Sequence, residues 1–136
     1  MKNLCAALLI LLGLASAAQA ENSVGPSNQV LCNKVANVAV GPIAATQVVA
    51  GVANQSIFVC GFQVTNTAAT GTFSIVTGTG TTCTSPTVLV TPQNVTNTAP
   101  ATYNVGVAQM QAVAGSTICV IPSVATIATT IWYSQF

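Results

Sequence analysis

The residues most able to do chemistry in this sequence are its five cysteines. Cys5 lies in an N-terminal segment that we expect to be cleaved off, which leaves Cys32, Cys60, Cys83 and Cys119. An even number of cysteines in a small exported domain is typical of structural disulfides. Zinc and redox sites instead use closely paired cysteines such as Cys-x-x-Cys, and the sequence has no such pair. We therefore predict two disulfides.

Four cysteines allow three pairings, and sequence alone does not choose among them. We favour Cys32–Cys60 and Cys83–Cys119, because each of these bonds would tether a loop or a strand end to a nearby strand. In the chain-entropy model, each bond would add on the order of 3–4 kcal/mol to the free energy of unfolding.

Side chains for acid–base or nucleophilic catalysis are almost entirely missing. The sequence has no His, Asp or Arg, and beyond the N-terminal segment its charged side chains are Glu21 and Lys34. General acid–base catalysis, paired-carboxylate hydrolysis and an activated serine all need titratable groups held together. The stretch Gly78–Cys83 lacks the third glycine and the lysine of phosphate-binding loops. We expect no catalytic residue, no metal site and no cofactor, and therefore no enzyme.

The scarcity of charge also narrows the choice of partner. Charged residues make up 2% of the chain and the net charge is +1, whereas about a quarter of the residues of a typical soluble protein are charged. Nucleic acid is excluded as a ligand, because phosphate binding needs clustered Lys and Arg. The polar surface must be built from Thr, Ser, Asn and Gln, which favours neutral contacts with a protein or a glycan.

Residues 1–20 have the pattern of a secretory signal peptide. Lys2 supplies a positive start, Leu4–Leu14 form an apolar run, and Ala18–Ala20 provide a small-x-small cleavage site. An uncleaved N-terminal anchor is the alternative, although the run is shorter than the roughly 20 apolar residues that span a bilayer. Polar residues interrupt every later apolar run, so we predict no transmembrane segment in the mature protein.

The predicted organisation has three parts: a signal peptide at 1–20, a flexible leader at 21–31 and one disulfide-stabilised domain at 32–136. A chain of this length suffices for a single domain with a small core. We expect the protein to be secreted and extracellular, with the periplasm and the cell surface as further possible locations.

The mature region is rich in Val, Thr and Ile, which favour strands over helices. Turn residues recur at intervals of about ten residues, as expected of a sandwich or a barrel. We predict an all-β fold, a single β-sandwich of jelly-roll-like or immunoglobulin-like type with about seven or eight short antiparallel strands. The candidate strands are Lys34–Val40, Thr46–Val52, Ser56–Asn66, Thr72–Thr77, Thr87–Thr91, Thr102–Met110, Thr117–Ile121 and Thr126–Tyr133.

The clearest candidate strand contains the run Ile57–Val64. Side chains alternate between the two faces of a strand, so one face of this run should point into the core. Ile57 and Val59 belong to the opposite face, so one end of the strand should be covered on both sides. The residues predicted on the core face are Phe58, Cys60, Phe62 and Val64.

Five short motifs follow one another along the mature region: Thr46–Ala50, Ile57–Phe62, Gly78–Cys83, Ile118–Val120 and Tyr133–Gln135. In this order they resemble a group of small secreted or phage-associated β-sandwich proteins, some of which look like virion or surface components. The resemblance implies the sandwich fold and the disulfides, and no catalytic site. The signal peptide departs from the phage structural version, since virion proteins assembled in the cytoplasm need no export, and this favours a host-encoded secreted protein.

The aromatic C-terminus offers candidate partner contacts in Trp132, Tyr133 and Phe136. The alternative is a final strand that closes the core, since large aromatic side chains are usually buried. Two functions fit these observations. The first is a non-enzymatic secreted structural or surface protein that self-associates in an extracellular filament, coat or virion-like assembly. The second is a monomeric binding module that recognises a glycan or a protein through its loops or its aromatic C-terminus.

Overall fold

The computed structural model describes residues 29–40, 44–68, 70–104, 106–123 and 127–136. The predicted signal peptide and most of the predicted leader, residues 1–28, lie outside the described residues. Regular structure in the described part is entirely β-strand, as the Val, Thr and Ile content predicts. Its nine strands are β1 (Lys34–Val40), β2 (Thr46–Val49), β3 (Ile57–Asn66), β4 (Thr70–Thr79), β5 (Thr84–Thr96), β6 (Ala101–Asn104), β7 (Met110–Ala112), β8 (Thr117–Pro122) and β9 (Ile127–Gln135).

The strands form two antiparallel sheets with an apolar core between them. The larger sheet has the order β1-β9-β3-β6, with β7 also paired to β3, and the smaller sheet has the order β2-β8-β4-β5. Across the core, the rings of Phe62 and Phe73 meet edge to face with their centroids 5.7 Å apart. The predicted all-β sandwich is therefore confirmed.

The long strand β3 changes the face that it turns to the core. Ile57 and Val59 are buried in the core at its start, and Phe62 and Val64 are buried in the core at its end. Val59 and Phe62 are three positions apart, and residues an odd number of positions apart lie on opposite faces of a regular strand. Uninterrupted alternation therefore cannot place both of them in the core. The predicted face was therefore correct for the second half of the strand and wrong for Ile57 and Val59.

A bulge at Cys60 causes this change of face. Val59 pairs with Tyr133 of β9 and Gly61 pairs with Trp132, so the register shifts across Cys60. Phe58, predicted to face the core, instead lies half-buried outside it. Hydrophobic alternation alone does not reveal a bulge, and this is the physical reason for the error.

Most predicted strands differ from the observed ones by one to three residues at an end, and two differ more. The strand predicted at Thr87–Thr91 is β5, which runs past Pro92 to Thr96. A proline interrupts an inner strand but is tolerated on an edge strand such as β5. The strand predicted at Thr102–Met110 is two strands, β6 and β7, which both pair with β3. The described residues therefore form nine strands, one more than the upper expectation.

Both predicted disulfides are present, as Cys32–Cys60 and Cys83–Cys119. The first bond fastens the segment before β1 to the bulge of β3. The second joins the turn before β5 to β8, and both of its cysteines are buried. Disulfides persist in oxidising compartments, which fits an extracellular location.

Candidate functional site

The C-terminal aromatic residues belong to β9, which lies between β1 and β3 in the larger sheet. Trp132 pairs with Val35 of β1 on one side and with Gly61 of β3 on the other. Its neighbour Tyr133 packs against the core, so alternation puts Trp132 on the outer face of the sheet. Ile127 and Ile131 of the same strand are buried in the core, so the last strand contributes to the core, whereas Trp132 and Tyr133 are half-buried and Phe136 is exposed.

Phe136 follows β9 and packs apart from the other two aromatic residues. Its ring stacks on Phe58 with the centroids 4.9 Å apart and an interplanar angle of 18°. The backbones of Phe136 and Ser56 exchange two hydrogen bonds, which hold the end of the chain beside the start of β3. The three predicted partner contacts are therefore not grouped together. Trp132 lies on the outer face of the sheet, Tyr133 on the core face and Phe136 beside the start of β3.

Part of the outer face is covered by residues Gln29–Asn33. The Ser134 hydroxyl donates to the carbonyl of Leu31 and contacts Asn33 Oδ1 at 3.1 Å. The amide of Ala108 donates to the carbonyl of Val30 at 2.9 Å. With the Cys32–Cys60 bond, these contacts hold the described end of the predicted leader against the sheet.

A groove of about 690 Å³ opens between β5 of the smaller sheet and β6 and β7 of the larger one. Phe62 and Tyr103 stack within it, with their centroids 5.8 Å apart and an interplanar angle of 25°. Leu89 and Met110 add apolar surface, and Gln93 adds a carboxamide. Its described lining has no charged side chain, so the groove suits a neutral ligand.

The groove has no counterpart among the features predicted from the sequence. The single strand predicted at Thr102–Met110 is divided by a connection between β6 and β7, and the groove lies beside both of these strands. Gly106, with a φ of 74°, lies in this connection and is the one signal that could have indicated the break. Nor does the sequence show that the Tyr103 ring stacks on Phe62, because the two residues lie on different strands.

The edge strands of the two sheets differ in how regularly they pair with their neighbours. In the larger sheet the outermost strands are β1 on one side and β6 with β7 on the other, and in the smaller sheet they are β2 and β5. β1 pairs with β9 over seven consecutive residues without a shift in register. The pairing of β5 with β4 shifts three times, and that of β2 with β8 shifts once.

The only charged side chain within the described residues belongs to Lys34, the first residue of β1. Its ammonium group lies 6.0 Å from the centroid of the Tyr133 ring, over the neighbouring strand. In the same described ranges, no three His, Cys, Asp or Glu side chains are grouped to hold a metal ion. Nor does any helix there have the length and apolar character required to cross a membrane.

No protein-family model matches this chain, and no curated protein sequence is significantly similar to it. The resemblance of the five motifs is therefore a proposal.

Proposed function

We propose that this protein is a secreted, non-enzymatic structural or surface protein that works by self-association through neutral contacts. The observation that carries the proposal is the combination of an open, regular sheet edge, β1, with a chain that is almost free of charge. Long-range charge repulsion helps to keep small soluble domains apart, and a net charge of +1 supplies little of it. Unpaired backbone groups at an open edge are then available to another copy.

The disulfides support a structural role outside the cytoplasm. They add cross-links between segments that are distant in sequence, with separations of 28 and 36 residues. Such bonds stabilise a small domain where the environment is oxidising. A durable extracellular subunit needs this stability more than it needs a mobile active site.

Sedimentation velocity of the exported, oxidised protein over a wide range of concentrations tests the proposal. We expect a concentration-dependent oligomer that persists from about 50 to 500 mM salt, because few exposed ion pairs exist for salt to screen. The reduced protein serves as a control for the role of the disulfides. A monomer at every concentration and salt condition would refute self-association.

The groove supports a second candidate function, which is recognition of a neutral glycan. Phe62 covers one face of the Tyr103 ring, and 38% of the Tyr103 surface is exposed. An aromatic face packs against the C–H face of a sugar ring, while carboxamide and hydroxyl groups such as those of Gln93 and Thr91 can bind sugar hydroxyls.

Calorimetric titration with neutral oligosaccharides tests this second function. We expect Tyr103→Ala to abolish binding and Tyr103→Phe to retain most of it, because the phenylalanine ring keeps the stacking surface. Phe136→Ala removes an exposed aromatic outside the groove and should leave the affinity unchanged. If Phe136→Ala reduced binding and Tyr103→Ala did not, the groove would not be the site.

A further inference from the structure

We propose that β1 is the edge through which two copies of this chain associate, by antiparallel pairing of β1 with β1 around Asn37. The two larger sheets would then form one continuous sheet across a two-fold axis. This inference rests on the proposed function and specifies its interface. It follows from the unequal protection of the edges, the position of Lys34 and the match between the strand faces.

Every other edge in the described residues carries a feature that opposes strand addition. β5 contains Pro86 and Pro92, and its pairing is interrupted by three register shifts. β2, β6 and β7 are only four, four and three residues long. Prolines, irregular pairing, short length and charged side chains are among the devices by which proteins block edge-to-edge pairing, and β1 carries only the last of these, at its first residue, Lys34.

β1 has almost none of these protections. It is a regular strand of seven residues that contains no proline. In an antiparallel pair, alternate residues direct their N–H and C=O groups to the partner strand, so about half of these groups on β1 point away from β9. A second strand of the same length can pair with them.

The one charge on β1 favours the antiparallel arrangement. Lys34 is the first residue of the strand, and its ammonium group lies toward the Tyr133 ring. Centring the pair on Asn37 puts Lys34 opposite Val40 of the second copy. The two Lys34 residues are then at opposite ends of the interface, roughly 20 Å apart at about 3.3 Å per residue. This separation exceeds the Debye length of about 8 Å at physiological salt, whereas parallel pairing would put both charges at one end.

The faces of the strand also match in this register. The core-side residues Ala36 and Val38 come opposite each other, so the core side of one copy continues into that of the other. On the outer face, Val35 comes opposite Ala39 of the second copy. Val35 is 54% exposed in the single chain, and pairing would cover part of this surface beside Trp132.

Pairing of β1 with β1 produces a closed dimer. A two-fold interface uses the same patch on both copies, so the dimer has no β1 edge left over. Because the remaining edges are protected, edge pairing alone yields dimers and no filament. Any larger assembly must therefore use the sheet faces or the groove.

Charge substitutions at Asn37 test the interface. Asn37→Lys and Asn37→Glu each bring like charges together at the two-fold axis, and we expect each to weaken dimerisation by about tenfold or more. Mixing the two variants should restore a dimer, because the charges are then opposite. Thr87→Lys on β5, at another exposed edge position, should dimerise like the unmodified protein. Circular dichroism confirms that each variant is folded.

A cross-linking variant tests the register. Residues opposite each other in an antiparallel pair have Cα atoms about 4.5–5.5 Å apart, within the range that a disulfide bridges. Asn37→Cys should therefore form a covalent dimer on mild oxidation, and Thr87→Cys should not. If the unmodified protein dimerises but the Asn37 variants dimerise equally well and do not cross-link, the β1 interface is wrong and self-association stands. If the unmodified protein is monomeric throughout, both proposals fail.

Discussion

Cys32 is bonded to Cys60, the one residue of β3 at which the register with β9 shifts. The bulge removes Cys60 from the regular alternation that puts Val59 and Phe62 in the core. Its sulfur is thereby available to the segment that precedes β1 on the outer face. The disulfide and the bulge thus act together, since they fasten the start of β1 and with it the edge that we propose for association.

Loss of this disulfide should lower stability without abolishing the fold. We expect the double variant Cys32→Ser/Cys60→Ser to lose about 3–4 kcal/mol of unfolding free energy, the chain-entropy value for a loop of this size. Denaturant unfolding measures the loss, with the oxidised unmodified protein as reference. An unchanged midpoint in the double variant would contradict the role assigned to the bond.

Removal of a buried hydroxyl group should raise the unfolding free energy, whereas loss of the disulfide should lower it. Thr129 on β9 is 1% exposed, and its Oγ1 has no hydrogen-bond partner among the described residues. An unsatisfied buried polar group costs about 1–3 kcal/mol, and valine has nearly the same shape without the hydroxyl. We expect Thr129→Val to raise the unfolding free energy by about 1 kcal/mol.

The neighbouring residue provides the matched control for this variant. Thr130 is half-buried on the opposite face of β9, so Thr130→Val should change the stability by less than about 0.5 kcal/mol. Thermal or urea unfolding of the three proteins gives the comparison. A clear loss of stability in Thr129→Val would show that the hydroxyl has a partner after all.

Association should be nearly independent of pH between about 5.5 and 9. The sequence has no His, and a new α-amino group, with a reference pKa of about 8, would be the main group to titrate in this window. Protonation of that amine would alter the charge of the predicted leader and not that of the β1 edge. Light scattering across the pH range checks the expectation, and a sharp transition within it would contradict an interface of neutral contacts.

Much of this fold could be predicted from particular residues. Val, Thr and Ile indicated the strands, and Phe62 and Val64 indicated the core face of the second half of β3. The four cysteines that follow the predicted signal peptide indicated two disulfides, and the favoured pairing was confirmed. The strands, the core face and the number of disulfides could be predicted because they depend on local periodicity and on counting.

The remaining features depend on contacts between distant segments. The bulge at Cys60 is set by its neighbours on β9 and by Cys32, and no pattern within the run Ile57–Val64 marks it. The strand predicted at Thr87–Thr91 stopped before Pro92, since the sequence does not show that β5 is an edge strand. The groove lies between β6 and β7 of one sheet and β5 of the other. Sequence periodicity contains no information on which strands become edges.

Hydrogen exchange of the unmodified protein tests the central claim most directly, because it requires no substitution. The exchange of amide hydrogens in peptides covering Lys34–Val40 is compared at low and high protein concentration, with Thr84–Thr96 as the reference edge. We predict that β1 amides exchange more slowly at high concentration while those of β5 do not change, because only β1 gains hydrogen bonds on pairing. Equal exchange of β1 at all concentrations, or protection that appears at β5 instead, would contradict the account.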